Sequence, residues 1–343
     1  MRLGNGILKD VPKKVEISHR TIIFTTVFLL SLWFLVQVSE IIFWLFISFI
    51  LMSAFKPTVD YLEGKRFPRI LAILVIYVFL ILVLVFVGST IIPPLVTQTI
   101  GLIERLPGYL RTVLPFLTID PGVVTQQIAP IGQNLVKLSL GIFNNLVAFF
   151  TIIVITFYLL LERKNLNSYL TFLLGDTTGS NVSGVIRKVE ERLGAWVRGQ
   201  VTLLFVVGIL TYIGLAILGI PYALPLAILA ALLEIVPNIG PVLASIPAII
   251  VSFAVSSLHP MFTIIMYIII QQLENQLIVP QVMRRVVGLP PLVTIVAILI
   301  GVKLAGIRGA VLAVPVVVTF EAIFTEYFRL KENKAESPGL KLH

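Results

Sequence analysis

The 343-residue sequence contains no cysteine, which excludes disulfides, a thiolate nucleophile and any Cys-ligated metal centre. Its three histidines, His19, His259 and His343, are scattered along the chain, so no metal-ligand set is expected. Charged residues make up only 13% of the chain, about half the share usual in soluble domains. None of the patterns HExxH, GxSxG or GxxxxGK[ST] occurs, so the signatures of a zinc protease, a serine hydrolase and an ATP-driven machine are missing. The expectation is a protein that is not an enzyme and carries no cofactor. Any work it does would draw on an ion gradient.

Hydrophobic residues are abundant instead, at 58% of the chain, with a mean hydropathy of +1.03. Apolar runs at 21–38, 70–92, 142–161, 200–218 and 261–279 are each near the ~20 residues that a helix needs to cross a bilayer. A shorter block lies at 41–55, and the blocks at 220–258 and 289–328 are interrupted by Pro and Gly, as hairpins would be. The expected fold is an all-α, polytopic membrane protein. The N-terminal stretch before residue 21 is basic, but no small-residue cleavage site precedes Glu40, so it is read as retained.

The net charge of +9 is distributed by topology. Most Lys and Arg fall in the connectors 2–20, 56–69, 163–198, 284–285 and 329–341, whereas 93–140 carries only Arg105, Arg111 and Lys137. The positive-inside rule then places both termini in the cytoplasm and 93–140 outside. Nucleic acid is not an expected partner; the lipid bilayer is.

The chain divides into 1–92, with a hairpin and a third span; 93–140, an extracytoplasmic amphipathic segment; 141–199, a fourth span and a cytoplasmic helix; 200–328, a transport core; and a tail at 329–343. Apolar positions at helical spacing within 93–140, broken at Pro107, Pro115, Pro121 and Pro130, suggest short helices on the outer interface. In the cytoplasmic helix Val182, Ile186, Val189, Leu193 and Trp196 form one face, expected to rest on the membrane or on a partner subunit. Arg187, Lys188, Glu190, Glu191 and Arg192 form the other.

The core shows a repeat. At a constant offset Gly219 aligns with Gly288, Pro221 with Pro290, Gly240 with Gly309, and the VLA at 242–244 with that at 311–313. Because the two copies enter from opposite faces, they are expected to form inverted, broken-helix hairpins with tips that meet, Asn238 near Ile307. In the same alignment Glu234 falls opposite Lys303. A charge at the centre of a spanning helix costs roughly 2.5–3.5 kcal/mol on insertion scales, so both should face protein or water. Unwinding at Pro237, Gly240 and Pro241 would free backbone groups to line an ion or solute site. The alternative is a static Glu234–Lys303 bridge. In QQLENQ, Gln271, Glu274 and Asn275 are expected to share one helix face, and Glu321 in the last span is a weaker candidate.

The RGQ at 198–200, GIPYALPLAILAALLEIVPNIGPVLASIPAI, ENQLIVPQVM, GLPP and GIRGAVLAVP occur in order across 190–320. Together they resemble the autoinducer-2 exporter (AI-2E) family of permeases. The resemblance implies roughly eight membrane segments and a homo-oligomer. Some members export a small polar signal molecule and others exchange Na⁺ for H⁺. It implies a functional region at Glu234, Pro237, Asn238, Gly240 and Pro241, with Glu274 and Asn275 from the ENQ motif; the repeat adds Lys303 and Gly309. A passive oligomeric pore and a non-transporting envelope scaffold are the alternatives of another class.

Overall fold

The computed structural model describes residues 19–113, 146–235, 239–282 and 290–336. Among these, all regular structure is helical: α1 (His19–Gln37), α2 (Ser39–Gly64), α3 (Arg69–Phe86), a π turn (Val87–Ile91), α4 (Ile92–Val113), α5 (Leu146–Glu162), α6 (Leu166–Leu174), α7 (Asp176–Ile217), α8 (Ala223–Leu233), α9 (Ile239–Ser252), α10 (His259–Leu273), a second π turn (Glu274–Ile278), α11 (Val279–Val282) and α12 (Pro291–Glu336). Residues up to Phe46 form one compact unit and residues from Ile47 onward another.

In the first unit α1 is apolar all round and exposes Phe24 at 71% and Trp33 at 64%. An exposed apolar helix is stable only where lipid replaces water.

Five helical stretches of the described residues have the length and composition to cross a membrane: Ser39–Gly64, Arg69–Tyr109, Asp176–Ile217, His259–Val282 and Arg308–Glu332. Shorter apolar helices accompany them. The protein is therefore an all-α, multi-pass membrane protein.

The short block at 41–55 proves to be part of the 26-residue α2. The break expected at Pro107 does not occur: α4 continues through it, and Leu106 joins the core formed with Leu215, Leu226, Ala244 and Tyr267. Proline disrupts a helix by removing one hydrogen bond, a local loss that packing of the adjacent turn on α8 and α9 offsets. The remaining prolines of that segment lie outside the described residues.

The amphipathic helix read from 182–196 and the span at 200–218 are one continuous helix, the 42-residue α7. Two residues of its apolar face pack within the chain itself. Val189 and Leu193 are buried within the chain, where α7 packs on α6 and α12. Glu190, placed by periodicity on the polar face, is only 2% exposed and pairs with Arg163.

A second core joins α2, α3 and α5 through Met52, Val59, Ile73, Tyr77 and Leu160. Polar groups secure it: Tyr77 Oη donates to the Ile153 carbonyl at 2.8 Å, and Ser48 Oγ to that of Ile152 at 3.2 Å. Interhelical bonds of this kind take the place of the hydrophobic drive that lipid does not supply. At the basic end Arg69 binds Asp60 at 3.0 Å and Glu63 at 2.8 Å, and its Nε satisfies the Leu160 carbonyl in the last turn of α5 at 2.8 Å.

Both interrupted blocks are hairpins. The first is α8 followed by α9. The second lies within α12, whose backbone leaves helical geometry at Ala305 and Gly306, the latter with φ 59°. A Cβ on Gly301 would collide with the Gly309 carbonyl, and one on Gly309 with the Gly301 carbonyl, so the two arms cross where neither residue carries a side chain.

Candidate functional site

Helix α8 is built from residues that fill apolar space without demanding partners, and it ends at Glu234, whose N–H is shared between the Ala230 and Ala231 carbonyls at 3.1 and 3.2 Å. The last carbonyls of a helix need donors from elsewhere. The carbonyl of Glu234 finds one in the Nε2 of Gln200, 3.2 Å away on α7. Across the break, Gly240 opens α9 so close to α8 that a Cβ there would collide with the Leu233 carbonyl.

The Glu234 carboxyl points into the protein and is 1% exposed; Glu274, the first residue of the second π turn, is 2% exposed. The two carboxyl groups are neighbours in the interior and act on one another electrostatically. Each keeps one oxygen, Oε2, without a partner, and one turn before Glu274 the Nε2 of Gln271 also lacks one. A π turn adds a residue to the helical repeat and marks functional positions in many helices. Here it starts at the acid beside Glu234. Beside it, between α9 and α10, is a cavity of about 170 Å³ lined by Pro241, Ser245, Tyr267 and Gln271 among others.

Of the residues singled out from sequence, the structure brings together Glu234 and Glu274, with Gly240 and Pro241 buried at the start of α9. Asn275 does not share their face: it is exposed, since it lies at the edge of a buried stripe only as wide as Glu274. Lys303 is also exposed and makes no ion pair with Glu234. Its place opposite Glu234 is taken by a second acid. Gly309 serves the crossing with Gly301. Pro237 and Asn238, and with them the approach of Asn238 to Ile307, lie outside the described residues. Glu321 pairs with Arg192 of α7, a structural link between α12 and α7. Gln200 was not singled out from sequence as a site residue, although a lone amide at the start of an apolar span is a visible signal.

An acid pair at the end of a broken helix, inside a multi-pass bundle of apolar helices, defines a membrane protein with ionisable groups in its interior, the setting of ion and solute pathways. The family model described as "AI-2E family transporter" matches residues 22–329, and the chain belongs to that family of membrane transporters. Among its relatives, "Putative transport protein YueF" of Bacillus subtilis (strain 168) is 31% identical over 329 residues, covering 89% of each chain. "Putative transport protein YrrI" of the same organism is 26% identical over 306 residues, 84% of this chain and 85% of the relative. "Putative permease PerM" of Escherichia coli (strain K12) is 27% identical over 275 residues, 73% of this chain and 76% of the relative.

Proposed function

We propose that this transporter is a secondary, ion-coupled exporter of a small polar solute, of the kind the autoinducer-2 signal represents, and that Glu234 and Glu274 together hold the coupling ion. The observation that carries this reading is the burial of the two neighbouring carboxyls, each with an oxygen that no protein donor satisfies. Two neighbouring acids away from water repel one another when both are ionised. A proton or a Na⁺ between them removes that repulsion, and alternate loading from the two sides of the membrane is the elementary step of coupling. Gln200 fixes the backbone from which Glu234 projects. Pro237, Asn238, Gly240 and Pro241 at the break are the proposed solute-facing groups, and Lys303 and Gly309 belong to the second hairpin of the same core.

The same pair favours a second reading, Na⁺/H⁺ antiport, because two competing cations at one carboxyl pair suffice for exchange without an organic solute. In both readings the basic connectors face the cytoplasm, as do both termini, the membrane is the plasma (inner) membrane, and the working form is a homo-oligomer. Purified protein in sealed vesicles containing a pH dye tests the proposal. A Na⁺ step, and separately a gradient of a small polyhydroxylated solute, should each be followed for proton movement. Proton flux with Na⁺ alone selects antiport, and flux that requires the solute selects coupled export. Solute that only equilibrates, with no proton movement, indicates a passive pore.

A further inference from the structure

The RGQ at 198–200 joins α7 to two other helices at once. Two residues apart on a helix, Arg198 and Gln200 point about 200° from one another around the axis, so they leave α7 on opposite sides. Gln200 reaches the end of α8, where its Nε2 donates to the Glu234 carbonyl at 3.2 Å. Arg198 reaches α2, where its Nη1 donates to the carbonyls of Ser53 at 3.4 Å and Ala54 at 3.1 Å.

The α2 end of this link is prepared by the sequence. Pro57 lies inside α2; it brings no N–H to the Ser53 carbonyl four residues earlier, and its ring pushes that carbonyl off the helix axis. The acceptor is thereby left for a donor from another element. Gly194, one turn before Arg198 and on the same side of α7, lets the two backbones approach: a Cβ there would collide with the Ser53 carbonyl and crowd Arg198 Nη1. A proline, a glycine and an arginine, distant in sequence, converge on one carbonyl. The helix they grip carries Met52 and Val59 of the α2–α3–α5 core, whereas Glu234 ends a helix whose Leu226 and Ala230 belong to the other core. Helix α7 therefore registers the one core against the other.

We propose that Arg198 is a positioning residue for the Glu234–Glu274 pair: by fixing α7 to α2 it sets where Gln200 holds the Glu234 carbonyl, and so where that carboxyl stands relative to Glu274. The proposal rests on the reading of the pair as the ion site. Displacement of such groups by about 1 Å is enough to impair a site of this kind, which is what a guanidinium clamp at the α2–α7 crossing prevents.

An engineered metal bridge tests it. Glu234→His with Glu274→His places an imidazole at each position and leaves Gln200 its main-chain acceptor. Two imidazoles that face one another hold Zn²⁺ together, so equilibrium dialysis of this double variant in lipid nanodiscs against Zn²⁺ should show a site that neither single variant has. Adding Pro57→Ala returns an N–H to the Ser53 carbonyl, draws it away from Arg198 and favours the helix. The unfolding midpoint should stay level or rise, while Zn²⁺ binds about tenfold more weakly. Arg198→Gln should weaken binding by a similar factor, and if that variant does not assemble, Pro57→Ala decides alone. Unchanged Zn²⁺ affinity in Pro57→Ala, or in an assembled Arg198→Gln protein, would overturn the proposal. So would weaker binding of Pro57→Ala accompanied by a lower midpoint, the mark of a general loss of packing. A double variant that binds Zn²⁺ no better than the single ones would overturn both the positioning and the pair. No gradient enters the measurement, so missing Na⁺-driven flux in the unaltered protein would refute ion coupling alone.

Discussion

Gln200 and Glu234 are joined by a hydrogen bond from the side-chain amide of the one to the main-chain carbonyl of the other, 3.2 Å long and buried between α7 and α8. The acid is thus aimed from a backbone position that a different helix holds. Gln200→Leu keeps similar bulk and removes the donor. It should destabilise the protein by about 1–3 kcal/mol, read as a lower unfolding midpoint in detergent, and should impair proton flux in the fraction that still assembles.

Gly240 presses on the carbonyl of Leu233, so Gly240→Ala should cost about 1–3 kcal/mol through forced separation of α8 and α9. Gly64→Ala is the control, because a Cβ there meets nothing within 4 Å; its effect should stay within about 0.5 kcal/mol. The yield of monodisperse protein after solubilisation separates the two.

Lys303 lies exposed on the second hairpin and has no ion pair with Glu234. Lys303→Met should leave assembly within about 0.5 kcal/mol of the unaltered protein. Adding it to Glu234→Gln should change neither stability nor flux beyond the single variant. A static bridge would instead give a double variant that recovers yield lost by Glu234→Gln.

Arg192 and Glu321 tie α7 to α12 with side chains 11% and 27% exposed. Glu321→Gln should lower stability by about 1.5–3 kcal/mol while leaving Na⁺ dependence in vesicles unchanged. An altered Na⁺ dependence would instead place Glu321 in the ion path.

The chemistry of the core was legible where local sequence dictates it. An acid beside Pro and Gly marks the end of α8, and the spacing of small residues marks both hairpins. What was hidden depends on the register between distant helices. Hydropathy identifies Glu234 and Glu274 as costly in lipid but cannot say that each is the other's neighbour, and the internal alignment pointed to Lys303 instead. The π turn at Glu274 shifts helical phase by a residue, which a fixed 3.6-residue repeat does not anticipate, so Asn275 was placed on a face that it does not occupy. Periodicity likewise put Glu190 on a solvated face, whereas Arg163, distant in sequence, draws it into the interior. At Pro107 tertiary packing outweighed the local breaker.

The role of the Glu234–Glu274 pair is tested most directly by Na⁺-triggered proton flux in sealed vesicles for Glu234→Gln, Glu274→Gln and the double variant, each first shown to assemble like the unaltered protein. If the pair holds the coupling ion, each single substitution should abolish Na⁺-dependent flux, and the double variant should be no worse than either. Wild-type flux in the double variant would contradict it.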